Sequence, residues 1–121
     1  MSHSYVWEEA GLYRKFYGEV SGDEILESNF EVQGHEKFVS IEYVINDFLD
    51  VSSHSIKVSH TKAYASSDDI ISKEKGALKI AIVVNNPALF DLAKNYQKLM
   101  HDNMFQCQIF STLEDARGWA T

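Results

Sequence analysis

Four short polar residues, Asn46, Asp47, Asn85 and Asn86, follow apolar, β-branched runs at Phe38 to Ile45 and Ile80 to Val84. In an open α/β sheet, ligands bind at the carboxyl ends of the strands, so these four could form a polar mouth. Asn and Asp also favour turns and caps because they bond locally to the backbone, and that reading covers the same residues. Ser52 or Ser53, after Asp47 and Asp50, reads as the N-cap of a following helix, worth about 1 kcal/mol. The five histidines show no metal-ligand spacing, and no second cysteine joins Cys107, so no metal site is expected. Cys107 falls in an apolar segment and reads as a small buried hydrophobe. No G-x-S-x-G, P-loop, G-x-G-x-x-G or C-x-x-C occurs, and no acid/base pair stands out. The expectation is a protein that is not an enzyme and carries no cofactor.

The elements that must position these residues are readable in part. Ile80 to Val84 is a continuous apolar run, as in a strand covered on both faces. Asn85-Asn86-Pro87 supplies an N-cap and a proline at the first helical position. Leu89, Leu92, Ala93, Tyr96, Leu99 and Met100 then mark one helical face. Ser4 to Glu8 and Leu12 to Val20 read as a hairpin around Gly11. Ser21-Gly-Asp-Glu24 reads as a capping box opening a helix that carries Ile25, Leu26, Asn29 and Phe30. Phe38 to Ile45 is the next strand, and Asn46 to Ser53 a loop. A helix follows, with Ile56, His60, Ala63 and Ile70 inward and a break near Ser66 to Asp69, where weak helix formers adjoin. Gln106 to Phe110 is the last strand, and Thr112 to Asp115 a capping box for a short final helix. The order is β-β-α-β-α-β-α-β-α, which predicts a mixed, mostly parallel sheet with right-handed crossovers.

A chain of 121 residues is expected to be one domain, 1–121. It has no apolar run long enough to span a membrane and no secretory leader pattern, so the expected home is the cytoplasm. The net charge of −7 is lopsided: residues 1–50 hold 11 acids against 3 bases, and residues 51–121 hold 7 against 8. An acidic half disfavours nucleic acid and anionic membranes and permits a basic protein partner. A phosphoacceptor receiver domain would fit the length, but it needs an acidic pair after its first strand and a lysine after its fifth. This chain opens on a hairpin and ends its last strand with Ser111-Thr112. The amphipathic first strand could pair with a copy of itself, giving a homodimer.

This order of elements resembles the STAS fold of the bacterial anti-sigma-factor antagonists. More closely, the chain is similar to the small STAS/SpoIIAA-like proteins that are compared with CRAL-TRIO lipid-binding domains. The landmarks are Leu92-Ala93, Gln97 and Leu99 in one helix, and Glu114-Asp115-Ala116 with Trp119 in the next. The resemblance implies a non-enzymatic binding or regulatory module with one of two occupants. The first is an apolar, lipid-like small molecule in a pocket lined by aromatics, with Phe48, Phe90, Tyr96, Asn46 and Asn85 as its residues. Phe16, Tyr43, Tyr64 and Phe105 are further aromatics for its walls. The second is a protein partner met by Asp47 and Asp50 and switched by phosphorylation of Ser52 or Ser53. By position Ser52 matches the phosphorylated serine of the antagonists, although Val51 replaces their preceding serine and no glycine follows. A helix N-terminus there would suit a phosphate.

Overall fold

Two antiparallel strands begin the sheet. In the computed structural model, which describes residues 2–121, β1 (His3–Trp7) pairs with β2 (Gly11–Val20), His3 opposite Phe16 and Trp7 opposite Leu12. Then follow α1 (Gly22–Gln33), β3 (Tyr43–His54), α2 (Val58–Lys75), β4 (Leu78–Val83), α3 (Pro87–Leu99), β5 (Phe105–Phe110) and α4 (Leu113–Ala120). The strands lie side by side in chain order, and β2 to β5 are mutually parallel. Each crossover therefore steps the same way across the sheet. Right-handed crossovers then put α1, α2 and α3 on one face. The final helix α4 turns back onto the other face, against β3 and β4.

The pleat sorts side chains between these faces. In β4, Leu78, Ile80 and Ile82 point to α1–α3, while Ala81 and Val83 point to α4. Most element starts follow local rules. The Ser21 hydroxyl accepts from the Glu24 N–H at 3.1 Å, Asn86 Oδ1 from the Ala88 and Leu89 N–H groups, and Thr112 Oγ1 from the Asp115 N–H. The capping box at Ser21 is half of one, because the Glu24 carboxylate turns outward to the Ser2 N–H and the His3 ring.

The middle of the chain departs from the expectation. Phe38–Ser40 is a single 3-10 turn, and the strand begins only at Tyr43. It then runs through Asn46 and Asp47 to His54, so Asn46 to Ser53 is not a loop. The polar residues are tolerated because each meets a partner within the fold. Arg14, directly opposite on β2, donates from Nε to Asn46 Oδ1 at 2.9 Å, and Tyr13 donates its hydroxyl to Asp47 at 2.5 Å. Ser52 and Ser53 are exposed strand residues, not helix caps. The helix starts later, at Val58, where the Lys57 N–H donates to His60 Nδ1 at 2.9 Å. It passes unbroken through Ser66 to Asp69, with Thr61, Tyr64, Asp68 and Ser72 inward and Ile70 62% exposed. Hydrogen bonds to other elements hold Thr61, Tyr64 and Asp68, and Ser72 donates within the helix to the Asp69 carbonyl, so the weak propensity of this stretch is outweighed. In α1 the buried face is Ile25, Ser28 and Val32, and Phe30 is exposed.

Helices α1 and α2 touch closely at one end. A Cβ on Gly22 would lie 2.3 Å from the His60 ring, so only glycine fits there. The Tyr64 hydroxyl donates to the Gly22 carbonyl at 2.6 Å beside this contact.

Candidate functional site: a cavity under the three helices

The face beneath α1–α3 does not close. A cavity of about 110 Å³ runs along β4 from Leu78 to Val84. Its floor includes Ile80, Ile82, Val44 and Phe105, and its roof Val32, Tyr64, Leu89 and Ala93. Its lining side chains Phe48, Ile56 and Leu92 are half-buried, which puts its exposed margin at the carboxyl end of the sheet. Asn29 and Gln33 of α1 form a second, polar margin. Phe48 is stacked on the fully buried Phe16, with centroids 4.7 Å apart and planes 9° apart.

Two ionisable groups line this apolar space. Asp68 of α2 accepts the Tyr96 hydroxyl at 2.5 Å on Oδ2 and the Gln33 amide at 2.8 Å on Oδ1. Burial pushes its carboxyl above the usual carboxylate range; those two hydrogen bonds and the charge of Arg14 pull the other way without cancelling it. Tyr96 is raised well above the ordinary tyrosine value by burial first and by Asp68 second. Arg14 of β2 is 5% exposed. It donates to Asn46 and, from Nη1, to Ser28 Oγ at 2.8 Å, and its guanidinium lies 5.0 Å from the Phe16 ring centre. Ser28 in turn shares a 2.7 Å hydrogen bond with the Tyr5 hydroxyl. Burial lowers the arginine to about 10, so it stays charged at neutral pH.

The expected site residues divide. Phe48, Tyr96 and Asn46 line the cavity together, with the aromatics Tyr64 and Phe105. Phe90 is 44% exposed and, with Asn85, borders a separate shallow recess at the start of α3. Tyr43 belongs to the α4 face. Asp47 is 4% exposed, bonded to Tyr13 and to the Leu49 N–H, so its carboxylate is not an outward docking group. Asn46 and Asp47 lie inside β3 rather than beyond its end, and only Asn85 and Asn86 sit in a turn after a strand. The polar mouth of four residues is therefore not assembled. Asp50 is exposed and paired with Lys15 at 2.6 Å. Cys107 is buried in β5, its thiol pushed up to about 12 by burial, so it holds no reactive thiolate. Among the described residues, no three His, Cys, Asp or Glu side chains are placed to hold a metal ion.

Arg14 and Asp68 were not singled out from the sequence. A signal existed for the first: Leu12, Arg14 and Phe16 share the parity of one strand face, and the two neighbours are core residues.

No helix of the described residues is long and apolar enough to cross a membrane. No protein-family profile and no curated protein sequence matches the chain. Among solved structures it is similar to an uncharacterized protein from Shewanella loihica, of the DUF3478 family and with a SpoIIAA-like fold. The two share 13% identity and a TM-score of 0.56, over 99% of this chain and 94% of that one. The monotonic sheet, the three helices on one face and this match together establish that the chain has the SpoIIAA-like fold.

Proposed function

We propose that the chain is a non-enzymatic binding module that takes an apolar, lipid-like small molecule between the sheet and α1–α3. The cavity carries this reading. Protein interiors pack closely, and voids larger than a water molecule are few. A void of about 110 Å³ bounded by Ile, Leu, Val and Phe side chains is close in size to the roughly 150 Å³ apolar cavities that stay dry and bind small hydrophobes. Leaving it empty forgoes the dispersion contacts of its whole lining, and an apolar occupant restores them.

The alternative, a protein-interaction module switched at Ser52 or Ser53, loses its physical basis with the helix terminus. A phosphate on an exposed strand serine lacks the helix N-terminus on which that reading rests. Native mass spectrometry of freshly purified protein, followed by addition of 1-decanol, tests the cavity reading. We expect a bound small molecule, lost on denaturation, or stoichiometric uptake of the alcohol. A clean apo mass that takes up no decanol would contradict it.

A further inference from the structure

Arg14 is a cation placed where an empty apolar cavity has least use for one. Its guanidinium has five N–H groups. One goes to Asn46 and one to Ser28, both neutral acceptors. Among the described residues Nη2 donates no hydrogen bond and no carboxylate forms an ion pair with the group; no fully buried side-chain nitrogen or oxygen lacks a partner, so Nη2 is not fully enclosed by protein. Asp68, the cavity's own carboxylate, is already bonded to Tyr96 and Gln33. Buried cations are ordinarily paired, because an uncompensated charge in a low-dielectric interior is strongly unfavourable. The unspent N–H groups belong to a side chain that lines the cavity, and the neighbouring Asn46 amide keeps its own NH2 as a further donor.

Resting on the cavity as the binding site, we propose that its ligand is a medium-chain carboxylate whose head group pairs with Arg14. One buried cation matches one negative charge, and the planar fork of arginine matches the two oxygens of a carboxylate. A volume of about 110 Å³ at roughly 10–15 Å³ per water-sized group admits roughly seven to eleven heavy atoms. That suits a carboxylate of about five to nine carbons. The tail lies along the Ile80 and Ile82 side chains of β4.

Three ligands with the same tail separate the cases when titrated calorimetrically into the full chain at neutral pH: octanoate, 1-octanol and octyl phosphate. We expect octanoate to bind at least 10-fold tighter than octanol, and octyl phosphate no tighter than octanoate. In Arg14→Gln the advantage of octanoate over octanol should vanish while octanol binding persists. Equal binding of octanoate and octanol by the natural chain would overturn the carboxylate proposal and leave the cavity reading standing. Tighter binding of octyl phosphate would overturn it in favour of a phosphate head. Binding of none of the three would remove the cavity reading itself. A folded Arg14→Gln chain that keeps the octanoate advantage would overturn the role of Arg14. Should that variant not fold, the side-chain nitrogen resonances of Arg14 in the natural chain decide: they shift with octanoate and not with octanol if the pairing is real.

Discussion

The two faces of this sheet are packed on different plans. On one, the eight-residue helix α4 presses the small side chains of Ala116 and Ala120 onto Ile45, Ala81 and Val83. Its edge is fastened by Arg117, which donates to both oxygens of Glu8 at 3.0 and 2.7 Å. On the other, three helices stand on larger residues and span a void that holds Arg14, Asn46 and Asp68 among apolar walls. The first face is built to be stable. The second gives up packing density and buries charge, which is the pattern expected where stability yields to binding.

Equivalent insertions on the two faces probe that contrast most strongly. Ala116→Leu, at a position with no exposure, should cost about 1–3 kcal/mol through overpacking. Ala93→Leu places the same added carbons in the cavity. It should cost less than about 1 kcal/mol and should block uptake of decanol. Urea unfolding with a binding titration measures both, and equal costs at the two sites would mean that the faces are packed alike.

The buried acid gives a signature in pH. Because the carboxyl of Asp68 is raised in the folded chain, its neutral form is favoured by folding. Its contribution is fully present below the ordinary aspartate value and is lost as pH rises through the folded value. Asp68→Asn should therefore gain on the natural chain in unfolding midpoint over the window that opens at about pH 4, the ordinary aspartate value, as pH rises. A constant difference across that window would show that the acid is not held high.

Glu8 has the opposite sign. The Arg117 guanidinium, above all, holds its carboxyl below the usual glutamate range. That stability is present above the ordinary glutamate value and disappears as pH falls through the lowered one. Glu8→Gln should cost no more than about 1 kcal/mol at neutral pH, because Arg117 is partly in solvent, and the difference should shrink on acidification. The smallest effect belongs to Phe90→Asp. Phe90 lies outside the cavity, so ligand uptake should be unchanged and stability should move by less than about 0.5 kcal/mol. Lost uptake in that variant would move the site to the recess at the start of α3.

What was readable in the sequence follows from how local its causes are. The β4–α3 unit rests on an apolar run, an Asn86 cap and a proline, all within one short stretch, and it forms as expected. The carboxyl half of β3 was not readable, because Asn46 and Asp47 look like turn residues until partners 32 and 34 positions away, Arg14 and Tyr13, are brought beside them. The inward face of α2 failed for the same reason. Asp68 is inside only because Gln33 and Tyr96 meet it there, and a hydrophobic period cannot report that. Of the expected aromatic walls, Phe48, Tyr64, Tyr96 and Phe105 line the cavity and Phe16, Tyr43 and Phe90 do not, and the pattern did not place Arg14 or Asp68 there.

The most direct test of the cavity as a ligand site is a set of methyl-labelled spectra of the protein with 1-decanol. The binding account predicts intermolecular contacts from the decyl chain to the methyl groups of Ile80, Ile82 and Leu92, with those of Leu113 and Val83 on the α4 face untouched. Contacts confined to surface methyls, or spectra unchanged at saturating alcohol, would contradict it.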